Sequence, residues 1–142
     1  MALIKDVMTP DPKLITPADN LQQAAQQMRE NNCGILPVQD GDRLVGMITD
    51  RDIVIRCIAD GKGPDTQVRA AMTEEVKYCF EEDEVEDVCQ NLGENQLRRL
   101  PVLNQEKRLV GIVSLSDLSS VEPDIAGEAL NQITQTGGLH SS

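Results

Sequence analysis

The sequence predicts a mixed α/β fold of the α+β kind, made of two copies of one β-α-β-β-α unit. Three observations predict it: the chain repeats itself, each copy carries an apolar stripe at helical spacing, and each carries two short apolar runs joined by a turn. Residues 8–53 align with 72–118, with one residue inserted in the second copy, at fourteen identical positions out of 46. The identities include Met8/Met72, Thr9/Thr73, Asp19/Asp83, Leu36/Leu100, Pro37/Pro101, Val38/Val102, Gly46/Gly111 and Asp52/Asp117. A duplicated unit of about 60 residues follows.

The first copy opens with a strand and a helix. A short strand is expected over 13–16, and Thr16-Pro17-Ala18-Asp19 predicts the helix start, with a hydroxyl cap and a proline in the first turn. The helix is expected to bury one face, because its apolar residues recur at i, i+3, i+4 and i+7. They are Leu21, Ala24, Ala25 and Met28.

A hairpin and a second helix complete the first copy. The runs 35–38 and 44–48 are apolar and are joined through Asp40-Gly41, a dipeptide that favours a tight hairpin turn. Apolar residues then recur at helical spacing between Ile53 and Ile58. Gly61 predicts the end of that helix.

The second copy repeats this order with local changes. A strand is expected over 77–80, and the helix start carries Phe80 followed by the acidic run 81–83, which suits the positive end of a helix. The second helix is expected to be short, from Ser116 to about Val121. The apolar stripe and the hairpin runs fall at Val85, Val88, Cys89 and Leu92, then at 100–103 and 109–113.

The repeat organisation predicts the domain boundaries. The first repeat is expected over 1–60 and the second over 68–123, with a linker containing Gly and Pro at 61–67. Residues 124–136 are expected to form an amphipathic closing helix. Residues 137–142 are expected to be a disordered tail.

Charge and composition exclude several classes of function. The chain carries 13 Lys+Arg against 24 Asp+Glu, a net charge of −11, and its only aromatic residues are Tyr78 and Phe80. Partners such as nucleic acid or an anionic membrane are therefore not expected, because both require basic surfaces and single strands also need stacking platforms. No apolar run suits a membrane span or signal peptide, and the four cysteines lack metal-site or redox spacing. We expect a cytoplasmic protein with reduced thiols.

No catalytic constellation is present in the sequence. The only histidine, His140, lies in the expected tail, and neither Gly-x-Ser-x-Gly nor Gly-x-Gly-x-x-Gly occurs. The segment Asp60–Pro64 superficially suggests a phosphate-binding loop, but it lacks the spacing and the hydroxyl residue of one. The chain is therefore expected to have no metal site, no catalytic cofactor and no enzymatic activity.

A hydroxyl–aspartate pattern follows each hairpin: Thr49-Asp50-Arg51-Asp52 in the first copy and Ser114-Leu115-Ser116-Asp117 in the second. One interpretation is helix capping, with the hydroxyl accepting a backbone N–H and the aspartate lying at the positive helix end. The other is a ligand site, where helix-start N–H groups and the hydroxyl bind phosphate and the aspartate accepts both hydrogens of a ribose diol. Arg51 would add a cation for an anionic ligand.

The combined motifs resemble a known family. Each copy carries Met-Thr, Leu-Pro-Val, Leu-Val-Gly and the hydroxyl–aspartate pattern, so that residues 3–121 resemble a tandem pair of cystathionine-β-synthase (CBS) domains of the stand-alone prokaryotic kind. The resemblance implies a Bateman module, in which two repeats pack with pseudo-two-fold symmetry and leave two clefts between them. Such clefts commonly bind AMP, ADP, ATP, NAD or S-adenosylmethionine, and such modules often form homodimers.

The resemblance also implies roles for particular residues of the first copy. Asp52 would hold the ribose hydroxyls, while Thr49 and Arg51 would hold the phosphate. The base and the sugar would be bordered by Thr16, Ile35, Leu36 and Pro37.

The second copy keeps part of this set. Its ligand residues would be Arg99, Pro101, Ser114 and Asp117. Ser116 stands in place of Arg51, and Phe80 in place of Thr16, so the second cleft has a weaker phosphate partner and a bulkier wall. The arginine pair at 98–99 either compensates for the missing cation or forms a solvated edge. We therefore favour the first cleft.

Two functions stay open at this point. The leading one is a regulatory module that binds an adenosine-containing ligand and signals its presence through shape to an effector protein. The alternative is a protein-interaction scaffold with vestigial clefts. A homodimer is expected, because the second helix of each copy carries more apolar surface than two small halves need. The alternative is that the closing helix at 124–134 covers this surface within one chain.

Overall fold

The computed structural model describes residues 2–95 and 97–134. The helices of this part are α1 Ile4–Val7, α2 Leu21–Asn31, α3 Asp50–Asp52, α4 Val85–Asn95, α5 Leu115–Ser119 and α6 Pro123–Ile133. The strands are β1 Thr9–Pro10, β2 Ile35–Asp40, β3 Arg43–Thr49, β4 Cys79–Phe80, β5 Arg99–Leu103 and β6 Leu109–Ser114. The expected tail at 137–142 lies outside the described residues, as does the end of the expected helix over 124–136.

The chain divides into two compact units, each holding one repeat. One unit is Pro12–Val76, and the other joins the residues up to Asp11 to the chain from Lys77 onward. The limits of these units differ from the repeat boundaries expected from the sequence. The reason is that the Met-Thr segment that precedes each copy pairs with the hairpin of the other copy. Thr9 pairs with Ile112 of β6, and Thr73 forms the equivalent bridge to Met47 of β3.

The unit Pro12–Val76 is built around the β2–β3 hairpin, which is antiparallel and carries an irregularity between Val38 and Gln39. The strand expected over 13–16 is reduced to a single parallel bridge from Ile15 to Val38. There the Ile15 N–H donates to the Pro37 carbonyl at 3.1 Å, and the Ile15 carbonyl accepts from the Gln39 N–H at 2.9 Å. The predicted strand was therefore too long, since one residue makes the pairing.

The start of α2 corrects a second expectation. The helix begins at Leu21 with Asn20 as its cap, whose side chain accepts the Gln23 N–H at 2.8 Å while the Gln23 side chain accepts the Asn20 N–H at 2.9 Å. Thr16 is therefore not the helix cap. It forms a separate turn with Asp19, whose carboxylate accepts the Thr16 N–H at 2.9 Å. The Asp19 N–H also donates to Thr16 Oγ1 at 3.3 Å, so Thr16 and Asp19 form the same reciprocal pair, but this pair closes a turn that ends before the helix begins.

The second helical segment of this unit is irregular. It starts as α3, continues through one π-helical turn over Ile53–Cys57, and ends in a 3-10 turn over Ile58–Asp60 before Gly61, which has a φ of +79°. Gly61 takes this left-handed conformation without side-chain strain, as expected from the sequence. The segment buries Cys57 and exposes Val54, Ile55 and Ile58 by more than half.

The other unit contains a four-stranded sheet in the order β1-β6-β5-β4. Strands β5 and β6 form the hairpin, and β4 runs parallel to β5. The segment α1 attaches to this unit: Ile4 is fully buried, and its N–H donates to the Asp83 carbonyl at 2.9 Å. The exposed Lys5 ammonium contacts Glu82 at 3.1 Å, which raises the pKa of Lys5 through the hydrogen bond and the opposite charge.

Helices α5 and α6 follow the second hairpin, at Leu115–Ser119 and Pro123–Ile133, where the sequence predicted a short helix from Ser116 to about Val121 and a closing helix over 124–136. Gly93 of α4 lies against Ala129 of α6, where an added Cβ would come within 3.1 Å of the Ala129 Cα. The first repeat has the exposed Arg29 at the position of Gly93. The second repeat therefore has a helix packed on a face that the first repeat leaves polar.

Each unit has its own aliphatic core. Two buried clusters lie one in each unit, and the larger one gathers residues of α4, β5, β6 and α5 around the fully buried Leu92, Leu100 and Leu118. The cysteines serve these cores as small apolar residues: Cys57, Cys79 and Cys89 are buried, Cys33 is half-buried, and all four are free. Burial raises the pKa of Cys79 to about 12 and that of Cys89 to about 11.

Candidate functional site

The hydroxyl–aspartate pattern of the first repeat lies where β3 ends. Thr49 Oγ1 accepts the Asp52 N–H at 3.0 Å, and one Asp52 carboxylate oxygen accepts the Thr49 N–H at 3.0 Å. Thr49 is the cap residue of α3 and has extended backbone, so the strand leads directly into the helix. The capping interpretation of this motif is therefore confirmed.

Arg56 is a residue of this site that the sequence analysis missed. Its Nε lies 3.8 Å from the second Asp52 carboxylate oxygen, and its Nη1 donates to the carbonyls of Ala71 and Met72 at 3.3 and 3.1 Å. The signal was present, since an acid and an arginine four residues apart lie on one helical face. Arg51, which the sequence did single out, is exposed, and its N–H donates to the Asp50 side chain at 2.8 Å.

The second repeat reproduces the same geometry. Ser114 Oγ accepts the Asp117 N–H at 3.2 Å, and an Asp117 carboxylate oxygen accepts the Ser114 N–H at 2.9 Å. Ser114 Oγ also lies 3.0 Å from the hydroxyl of Ser116. Over the described residues the other Asp117 oxygen accepts no hydrogen bond. Both aspartates thus cap a helix with one oxygen, while the other oxygen lies 3.8 Å from Arg56 Nε in the first repeat and accepts no hydrogen bond from the described residues in the second.

The strand residues next to each motif are also equivalent. Ile35 pairs with Thr49 across the first hairpin, and Arg99 pairs with Ser114 across the second. The residue before each is joined to its helix start by the same hydrogen bond: the Asp50 N–H donates to the Gly34 carbonyl at 2.9 Å, and the Leu115 N–H donates to the Arg98 carbonyl at 2.8 Å. The candidate cation for a phosphate therefore lies at the helix start in the first repeat, as Arg51, and on the strand in the second repeat, as Arg99.

The remaining predicted site residues differ in accessibility. Thr16 is exposed and Ile35 is half-buried, so both side chains are accessible to a ligand. Leu36 is 1% exposed and belongs to the core of its unit, which leaves only its backbone for any contact. Pro37 and Pro101 are buried at equivalent strand positions.

An open cavity of about 440 Å³ lies in the second repeat. It brings together the predicted residues Arg99 and Ser114 and adds a wall that the sequence did not reveal, the face of α6. The lining residues are Arg98, Arg99, Ser114, Leu115, Ser116, Ser119, Pro123, Ala126, Gly127 and Leu130. The apolar periodicity of α6 predicted a helix, but it could not show that Gly127 and Leu130 line the same cavity as Arg99 and Ser114.

Neither a metal centre nor a membrane span is visible in the described part of the chain. Within residues 2–95 and 97–134, no three His, Cys, Asp or Glu side chains meet in a group that could hold a metal ion. No helix of that part is both long and apolar enough to cross a bilayer. His140 lies outside the described residues.

Two mixed α/β repeats, each with a hairpin that runs into a capped helix, define a tandem-repeat module. The chain belongs to the CBS domain family, whose sequence model matches residues 4–58 and again 68–124. This confirms the family and the fold class predicted from the sequence. YlbB of Bacillus subtilis (strain 168), an uncharacterised protein, is 42% identical over 139 residues, which cover 95% of this chain and 93% of YlbB.

Solved structures of CBS-domain pairs are similar to this chain. CBSX2 in complex with AMP has a TM-score of 0.76 at 25% identity, over 88% of this chain and 98% of CBSX2. The CBS domain pair of MJ0100, in complex with 5′-methylthioadenosine and S-adenosylmethionine, has a TM-score of 0.76 at 26% identity, over 87% and 98%. Hypoxic Response Protein I, with two coordinated zinc ions, has a TM-score of 0.77 at 35% identity, over 84% and 98%. CBS pairs similar to this chain thus bind small adenosine-containing ligands.

Proposed function

We propose that this chain is a regulatory module that binds an adenosine-containing ligand, with AMP, ADP, ATP, NAD and S-adenosylmethionine as the candidates. One observation carries the proposal: both repeats end their hairpin in the same hydrogen-bonded hydroxyl–aspartate pair. The AMP bound to CBSX2 and the adenosyl ligands bound to MJ0100 support the same class of ligand.

We infer that the two carboxylate oxygens of each aspartate have different roles. One oxygen holds the helix start, and the other accepts the hydroxyls of a ribose. At Asp52 this second oxygen lies 3.8 Å from Arg56 Nε. Arg51 is exposed and has no acidic side-chain partner in the described part of the chain, so its guanidinium is available to a phosphate.

A ligand panel tests this function. Each candidate nucleotide is added to the full chain, and the melting temperature is followed together with calorimetric binding. At a ligand concentration 100 times the dissociation constant, binding stabilises the folded state by about 2.7 kcal/mol. For a chain of this size the melting temperature should rise by roughly 5–11 °C. If none of the five ligands shifts the transition, the nucleotide function is wrong.

A protein-interaction scaffold is the second candidate, and the exposed apolar face of the first repeat favours it. Val54 and Ile58 are each 53% exposed and Ile55 is 52% exposed, all on one short helical segment. A cluster of this kind is typical of a protein–protein interface. We propose that this face is covered in a homodimer. The nucleotide panel distinguishes a ligand module from a scaffold, and the measurement of mass in solution tests the homodimer.

A further inference from the structure

Arg56 contacts two separate parts of its unit at once. Its Nε lies 3.8 Å from a carboxylate oxygen of Asp52, and its Nη1 donates to the carbonyls of Ala71 and Met72 at 3.3 and 3.1 Å. One guanidinium therefore joins the hydroxyl–aspartate motif to the segment Val68–Thr73, which we call the connector. Shortly after the connector, the chain passes into the other compact unit.

The connector is held to its unit by backbone contacts that the second repeat duplicates. Thr73 exchanges two hydrogen bonds with Met47, at 2.8 and 3.0 Å, and the N–H groups of Val68 and Arg69 donate to carbonyls of the segment before α2. The equivalent segment of the second repeat, Ile4–Thr9, pairs with β6, and its first two N–H groups donate to carbonyls of the segment before α4. The backbone scheme is therefore common to both repeats.

The contact through Arg56 is the part that the repeats do not share. The second repeat has Val121 at the position of Arg56, and a valine side chain has neither a charge nor a hydrogen-bond donor. The hydroxyl–aspartate motif of the second repeat therefore has no arginine at this position to join it to Ile4–Thr9. The link from motif to connector belongs to the first repeat.

The ion pair of Arg56 lies where a ligand would change its surroundings. The side chain of Asp52 is 17% exposed and that of Arg56 is 50% exposed, so water reaches the pair and weakens the attraction. A ribose that covers the Asp52 carboxylate would exclude part of this water. The lower local dielectric strengthens the attraction between the two charges, and Arg56 is then held more firmly.

We propose that Arg56 is a positioning residue that couples ligand binding in the first repeat to the connector. The ligand is the adenosine-containing one of the proposed function, on which this inference rests. When the ribose covers Asp52, the hydrogen bonds from Arg56 to the carbonyls of Ala71 and Met72 persist longer, and the connector becomes more rigid. Because coupling between two sites is reciprocal, the held connector also raises the affinity of the first repeat for the ligand. Binding at the second repeat, which has Val121, lacks this effect.

Hydrogen exchange on the full chain, with and without saturating AMP, measures the coupling. AMP should slow exchange in the connector of wild type, where the Met72 N–H donates to the Val68 carbonyl and the Thr73 N–H to that of Met47. Arg56→Met removes the charge and the donors but keeps an unbranched side chain. In this variant AMP should bind about fivefold more weakly or worse by calorimetry, and it should no longer slow connector exchange.

Two further variants separate the geometry of Arg56 from its charge. Arg69→Met removes the same charge from an exposed position of the connector itself, so AMP affinity and the slowing by AMP should both match wild type. Arg56→Lys keeps the charge beside Asp52 but lacks the planar fork, so it should restore AMP affinity to within about twofold and the slowing only in part. Loss of the slowing in Arg69→Met would indicate a general charge effect and would overturn the role of Arg56.

The ligand-free protein supplies an independent arm of the test. Arg56→Met should speed exchange in the connector and leave exchange over Ile4–Thr9 unchanged, because that segment is held without Arg56. Unchanged connector exchange in this variant would overturn the anchoring contact.

Failure of the coupling and failure of the proposed function give different results. If AMP binds wild type but slows connector exchange equally in wild type and in Arg56→Met, or in neither, the coupling is wrong and nucleotide binding is intact. If calorimetry detects no adenosine compound on wild type, the proposed function is wrong and the coupling is overturned with it.

Discussion

Replacing Asp52 by alanine separates the two roles that its carboxylate is proposed to combine. The substitution removes the acceptor of the Thr49 N–H at 3.0 Å and the ion pair with Arg56 at 3.8 Å. Loss of a capping interaction costs about 0.5–2 kcal/mol, and an ion pair to a half-exposed arginine contributes about 0–1 kcal/mol. The ligand-free protein should therefore be less stable by about 0.5–3 kcal/mol, which lowers the melting temperature by roughly 1–12 °C.

Asp52→Asn and Asp117→Ala are the matched variants. The asparagine retains an oxygen for the Thr49 N–H, so it should melt closer to wild type than the alanine variant. At the position equivalent to Arg56 the second repeat has Val121, so Asp117→Ala should lose only its cap. Thermal unfolding without ligand and calorimetry with AMP are measured on all three variants.

Two results would refute the reasoning on Asp52. An alanine variant that melts like wild type would show that the capping hydrogen bonds contribute nothing measurable to the free energy of unfolding. An alanine variant that melts lower but binds nucleotide normally would show that the aspartate only caps its helix. If it holds ribose as well, its loss should weaken binding by about 10- to 150-fold, the equivalent of about 1.5–3 kcal/mol.

Three other predictions concern packing, thiol chemistry and assembly. Gly46→Ala should lower stability by about 1–3 kcal/mol in thermal unfolding, because its Cβ would come within 2.8 Å of the Thr73 carbonyl oxygen; unchanged melting would contradict this contact. Cys79 should resist alkylation at pH 8 in the folded protein, while Cys33 reacts. Because burial raises the pKa of Cys79 from 9.0 to about 12, the contribution of this thiol to the free energy of unfolding should be complete below pH 9.0 and be lost as the pH rises toward about 12. Rapid labelling of Cys79 would show that its burial is transient. Light scattering should give twice the 15.6 kDa chain mass, and Ile55→Asp should return the monomer; a wild-type monomer at micromolar concentration would reject the dimer.

The features that the sequence predicted are those with local causes. The stripes of α2 and α4 follow from helical spacing, and the hairpins follow from apolar runs joined by a turn, so both appear where they were expected. The capping pairs were also predictable, since a hydroxyl and an aspartate three residues apart suffice to form them. The family resemblance rested on the same local motifs.

The features that the sequence did not predict depend on distant partners. Thr16 has the residue type of a cap and pairs with Asp19, but the helix begins only after Asn20, and the sequence offers both pairs without deciding between them. The strand at Ile15 is short because a single residue finds a partner on β2. The cavity in the second repeat needed the packing of α6 against α4, which depends on Gly93 and Ala129, 36 positions apart in the chain.

The attachment of the first residues to the second repeat has a consequence for the order of folding. The unit Pro12–Val76 is contiguous, so all of its contacts are available once Val76 has been synthesised. In the other unit Ile4 pairs with Asp83, 79 residues later, and Thr9 pairs with Ile112, 103 residues later, and such distant closure is slow. In a nascent chain the unit Pro12–Val76 should therefore fold before the unit that contains both ends of the chain. A fragment cut at the repeat boundary would leave Ile4 without its partners, and a fragment over 12–76 is the one that retains a whole unit.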